Sequence, residues 1–153
     1  MAIQKASLLA DDTNIKLVAA LVENPRITTS ELARLVGMSA PAVRERVQRL
    51  EDIGVLRGCR IDLDPALLGY PVAVVVRIKP MPGQLPAIIE LARSMPRVVE
   101  CLRITGEDCF LVRAYLESID VLDSLLDPFL AYGQTTTSIV QSEPVPLRSL
   151  PLK

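Results

Sequence analysis

The chain has 153 residues, half of them hydrophobic, with a formal net charge of −1 and no histidine. This length buries a core in one domain or two small ones, the composition excludes a disordered tail, and the missing histidines exclude histidine-based catalysis and histidine metal ligation. No apolar run approaches the roughly 18 residues of a spanning helix, residues 1–10 lack a secretory apolar stretch, and Cys59, Cys101 and Cys109 without a C-x-x-C pair read as reduced thiols of a cytoplasmic protein.

A first helix is expected over residues 12–23, capped by Asp11 or Asp12, with Ile15, Val18, Leu21 and Val22 as its buried stripe. Asn24-Pro25 ends it, because the residue before proline is pushed out of the helical region. Thr28-Thr29-Ser30-Glu31 is a capping box that opens a second helix burying Leu32, Leu35 and Val36. Gly37 stops that helix, and Met38 alone separates it from Ser39, the next N-cap. Pro41 falls in the first turn of the third helix, where its missing amide hydrogen costs little, and Gly54 ends that helix after about Ile53.

Beyond Gly54 the period changes. Residues 56–63 partly alternate and are expected to form a strand, and Asp64-Pro65 makes a turn. Residues 72–78 form a β-branched strand, residues 85–95 a helix, residues 98–105 a strand, and residues 106–108 a turn. A strand over 109–116, a helix over 120–132 and a strand over 135–142 complete a β-α-β-β-α-β order, the ferredoxin-like α+β arrangement. The expected domains are 1–55 (helix-turn-helix), 56–70 (strand and linker) and 71–153 (ferredoxin-like), with residues 144–153 as an extended tail. The strands are expected to be apolar on both sides, so the helix-free sheet face needs a cover, most economically a second copy of the chain.

Charge resolves unevenly along the chain. Seven arginines (26, 34, 44, 46, 49, 57, 60) stand against four acids between residues 26 and 60, an excess of three, whereas eight bases meet ten acids from Leu63 onward. At 100° per residue Val43, Val47 and Leu50 mark the buried stripe of the third helix. Opposite lie Pro41, Glu45, Gln48 and Arg49, with Arg44 and Arg46 on the shoulders, a face suited to the major groove. Gln48 and Arg49 match adenine and guanine edges, while Arg44 and Arg46 are placed to hold phosphates. Glu45 can accept from cytosine or pair with Arg49 at i+4, and the internal pair is favoured. A helical hairpin that serves only as a protein adaptor is the alternative.

The segments Asn24-Pro25-Arg26-Ile27, Glu31-Leu32-Ala33, Val36-Gly37-Met38-Ser39, Arg46-Val47-Gln48-Arg49-Leu50-Glu51 and Gly54-Val55-Leu56-Arg57-Gly58 resemble the Lrp/AsnC family. The likeness continues through Leu68-Gly69, Thr105-Gly106-Glu107 and Thr137-Ser138-Ile139-Val140. It implies a transcriptional regulator that binds double-stranded DNA through Ser39, Pro41, Arg44, Arg46, Gln48 and Arg49. It also implies a homodimer assembling to a tetramer or octamer, and a small-molecule effector of the amino-acid class bound between dimers. The effector contacts it points to are Thr105, Gly106, Glu107, Asp108, Cys109, Thr135 and Thr137. Gly106 serves as a turn residue alone or as turn and ligand contact, and β-propensity alone also explains Thr135 and Thr137. Family members often carry Gly-Asp-x-Asp where this chain has Gly106-Glu107-Asp108-Cys109, and glycine where it has Pro25. No enzyme activity, cofactor, metal or membrane partner is expected.

Overall fold

The computed structural model describes residues 11–152, so the expectations for residues 1–10 and for Lys153 lie outside the described residues. The chain divides into two units, one running to Ile61 and taking in the stretch from Leu147, the other Asp62–Pro146.

In the first unit, α1 spans Asp12–Glu23, and the Asp11 carboxylate caps it by accepting from the Thr13 amide at 2.8 Å. Asn24 is extended, as a residue before proline must be, and its side chain accepts from the Arg26 amide at 3.0 Å. The capping box is complete on α2, Thr29–Val36: the Thr28 hydroxyl accepts from the Glu31 amide, and the Glu31 carboxylate accepts from the Thr28 amide at 2.8 Å. Gly37 stands at φ 68°, a left-handed position that a side chain rarely adopts, and lets the Met38 amide reach back to the Ala33 carbonyl at 3.0 Å. Ser39 then caps α3, Ala40–Asp52, with Pro41 in its first turn.

Leu17, Ala20, Leu32, Ala33 and Val43 form the core of this unit. The buried stripe of α1 is centred on Leu17 and contains Asn14 and Val18, leaving the expected Val22 exposed. On α2 the inward residues are Leu32 and Ala33, and Leu35 is exposed, because it lies about 100° around the helix from that pair's face. The expected strand over 56–63 is absent, and Ile61 and Leu63 are exposed. A strand exists only by pairing, and among the described residues none pairs with this stretch.

The second unit contains β1 (Val72–Pro80), α4 (Leu85–Ser94), β2 (Val98–Arg103), β3 (Phe110–Leu116), a 3₁₀ turn (Ile119–Val121) leading into α5 (Leu122–Leu130), and β4 (Gly133–Ile139). The sheet order is β2-β3-β1-β4, antiparallel throughout, and the element order is the expected βαββαβ. Several boundaries differ from expectation. β1 runs on to Pro80, β2 stops at Arg103, β4 begins at Gly133, and the last helix begins as the 3₁₀ turn and ends at Leu130. β4 stops at Ile139 instead of reaching 142 because its partner runs out. Val140 still donates to Ala73 at 2.9 Å, but that register brings residue 142 opposite Pro71, which has no amide hydrogen.

Val74, Val76 and Ile78 of β1, Phe110, Val112, Ala114 and Leu116 of β3, Ile88 of α4, and Leu125 and Phe129 of α5 form the core. On the helix-free side the sheet mixes apolar and charged residues. Ala73 and Val75 face Tyr115 and Arg113, Arg77 faces Leu111, which in turn faces Leu102, Lys79 follows along β1, and β4 presents Gln134, Thr136 and Ser138. The expectation of apolar surface on both sides of the strands therefore fails at Arg77, Lys79 and Arg113 and along the outward residues of β4.

Candidate nucleic-acid interface and ligand turn

Pro41, Arg44, Glu45, Gln48, Arg49 and Asp52 are all exposed on one side of α3, with Ser39 exposed at its cap. At 100° per residue these helical positions span about 140° of arc, while Val43, Val47 and Leu50 lie opposite. Two of the outward side chains are held along the helix: Gln48 donates to Asp52 at 3.0 Å, and Arg49 donates to Glu45 at 3.1 Å. The second is the i,i+4 pair favoured by the spacing. Both its members are more than half exposed, so it contributes only about 0.3–0.5 kcal/mol and yields to a better acceptor.

Arg46 lies elsewhere. It turns toward α1, where its Nη1 donates to Asp11 Oδ2 at 2.5 Å and to Asn14 Oδ1 at 2.9 Å. Its guanidinium is thus engaged within the first unit. The Arg46 guanidinium, followed by the Thr13 amide, holds the Asp11 carboxyl below its ordinary range. Asp11 and Asn14 were not among the expected site residues. Their signal in the sequence is angular: Arg46 lies about 70° from the centre of the buried stripe, closer than Arg44.

In the second unit the turn over 105–108 is closed by the Ile104 amide donating to the Cys109 carbonyl at 2.9 Å, and Gly106 adopts φ 115°. Cys109 donates its amide to Ile78 at 3.0 Å, which ties the turn to β1. Glu107 lies 3.7 Å from Lys79, and Asp108 lies 3.6 Å from Arg77. These two cations, also missed in the sequence, project from the helix-free face. Cys109 instead packs against the core. Thr135 and Thr137 sit opposite Ile78 and Val76, on the helix side, with β1 between them and the turn. The expected effector set therefore divides: Thr105, Gly106, Glu107 and Asp108 share the turn, and Cys109, Thr135 and Thr137 belong to the other side of the sheet. An open groove of about 470 Å³ lies apart from both, between α4 and the edge strand β2, where Leu85, Ile89, Glu90, Arg93 and Arg103 line it.

Residues 11–51 match the AsnC-type helix-turn-helix domain, and residues 73–150 match the Lrp/AsnC ligand binding domain. The chain is 35% identical to the HTH-type transcriptional regulator YezC of Bacillus subtilis, over 86% of this chain and 94% of that protein. The transcriptional regulator NMB0573 of Neisseria meningitidis, solved as a complex with L-Met, superposes with a TM-score of 0.84 at 28% identity, covering 93% of this chain and 96% of that one. Escherichia coli AsnC superposes with a TM-score of 0.82 at 28% identity, covering 92% and 97%.

Proposed function

Since the chain belongs to the Lrp/AsnC family of transcriptional regulators, we propose that its helix-turn-helix reads a specific pseudo-palindromic DNA site and that an amino acid bound by the second unit tunes the outcome. The observation that carries this reading is the outward face of α3. Arg44, Gln48 and Arg49 project together from a helix capped at Ser39, on a unit whose own core occupies the opposite side. A helix so presented enters the major groove with its side chains against base edges. Gln48 and Arg49 give up their weak intrahelical partners for adenine and guanine, and Arg44 with the backbone around Ser39 and Pro41 holds phosphates.

Reading a two-fold site requires two such helices, and the helix-free face over Ala73, Val75 and Tyr115 is the surface through which two copies join. The dimer assembles further to a tetramer or octamer. Between dimers, the turn at Thr105–Asp108 offers backbone amides and a hydroxyl for a carboxylate, with Glu107 or Asp108 for an ammonium group. Arg77 and Lys79 add two cations beside those acids. The L-Met bound to the Neisseria relative supports an amino acid as the ligand class. Such a ligand regulates only through a difference in its affinity for two assembly or DNA-bound states.

The test is retention on double-stranded DNA. Wild type is expected to select one sequence from a random duplex pool and to release it as salt rises. Arg49→Ala is expected to cost about 1–3 kcal/mol on that sequence and to relax preference at one base. Equal binding of all sequences by wild type, or an Arg49→Ala variant indistinguishable from it, refutes this docking face.

A further inference from the structure

Resting on the DNA-reading role of α3, we propose that Arg46 is a positioning residue that braces α3 against α1 through Asp11 and Asn14 and fixes the roll at which Gln48 and Arg49 meet the bases. Both carboxylate oxygens of Asp11 are engaged: Oδ1 caps α1 at the Thr13 amide, and Oδ2 accepts from Arg46. Asn14, 2% exposed within α1, accepts from the same guanidinium nitrogen at 2.9 Å. A buried amide is stable only when hydrogen-bonded, so Arg46 contributes to keeping this polar group in place beside an apolar core. The side chain of Arg46 is itself only 33% exposed, unlike Arg49 at 59%.

Geometry explains why a brace is needed. The buried apolar side chains of α3 lie in one stripe, Val43 and Leu50 with Ala40 and Val47 beside them, and a helix seated on a single stripe resists sliding better than rolling. With side chains a helix has a radius of about 5–6 Å, so a roll of about 20° carries an outward tip by about 2 Å. That displacement exceeds the few tenths of an ångström over which a hydrogen bond to a base edge keeps its strength. Arg46, set about 70° around from the centre of the stripe, supplies a second and directional fixed point.

Three variants of the full chain separate this role from a phosphate contact, using a duplex of the sequence wild type selects and a scrambled duplex. Asp11→Asn keeps a good N-cap while removing the charge that holds Arg46. It is expected to weaken the selected duplex about tenfold, leave the scrambled duplex unchanged and leave the salt slope unchanged. Arg46→Gln is expected to do the same, and the double variant to be no worse than either single one. Arg46→Lys keeps a point charge without the planar fork and is expected to fail like Arg46→Gln. Thermal melting confirms that each variant is folded at the assay temperature. A harmless or affinity-raising Asp11→Asn, a full rescue by Arg46→Lys, or an Arg46→Gln that weakens both duplexes alike and lowers the salt slope by about one overturns the brace and makes Arg46 a phosphate contact. If wild type selects no duplex, the DNA-reading role fails and the brace with it.

Discussion

Gly133→Ala is the substitution whose cost the structure most clearly dictates. Gly133 opens β4 directly opposite Pro80, and a Cβ at this position would lie 2.5 Å from the Lys79 carbonyl oxygen and 2.9 Å from the Pro80 Cα. Both neighbours are backbone, so no side chain can swing aside. The start of β4 must separate from β1, and the adjoining hydrogen bond from the Met81 amide to the Tyr132 carbonyl, 2.8 Å long, must stretch. Overpacking of this kind costs about 1–3 kcal/mol, and a lost backbone hydrogen bond about 1 more. The total of about 2–4 kcal/mol lowers the melting temperature of a unit this size by at least about 8 °C. The assay is thermal unfolding by circular dichroism, with Gln134→Ala, an exposed neighbour in the same strand, as the control that should change stability by less than about 0.5 kcal/mol. A Gly133→Ala protein melting within 2 °C of wild type, as an order-of-magnitude threshold, refutes the close approach of the two backbones.

Arg97 donates to Glu117 at 2.9 Å and holds its carboxyl below the ordinary value of 4.5, so the stability it contributes is present above that pH and lost as pH falls through the lowered folded value. Melting temperatures of wild type and Glu117→Gln should therefore differ at neutral pH and converge in acid, and a constant difference down to the acid limit contradicts the pairing. A melting screen against the amino acids should find one that stabilises wild type, by about 2.7 kcal/mol at 100 times its Kd, and Asp108→Asn should weaken that response. No response from any of them counts against the proposed ligand class. Light scattering at micromolar concentration should give a dimer or a larger even-numbered assembly, and a monodisperse monomer removes the role proposed for the helix-free face.

Local chemistry was the legible part of this chain. The capping box at Thr28, the stop at Gly37 and the cap at Ser39 are short-range interactions, and each appears where the residue types require it. The βαββαβ order followed from periodicity in the same way. What was illegible depends on residues distant in sequence. Asp11 and Arg46 are 35 positions apart, so the brace emerges only once α1 and α3 pack. The end of β4 depends on which strand lies beside it and on a proline before that strand. Residues 56–63 have a strand-like pattern, but a pattern does not supply a partner. The division of the ligand turn from Thr135 and Thr137 follows from sheet order, which the alternation within single strands does not encode.

The two intrahelical pairs on the outer face of α3 constrain how this regulator could be retargeted. On the face proposed to read DNA, Glu45 and Asp52 are acids that Arg49 and Gln48 engage. On that proposal, replacing Arg49 by a neutral residue to suit another base leaves Glu45 uncompensated beside the phosphates. The new preference then comes with general repulsion from DNA. Altered specificity in this chain is therefore more accessible through joint changes at 45 and 49, or at 48 and 52, than through single ones. Because these four side chains form no part of the core, the joint changes leave the fold of the unit intact.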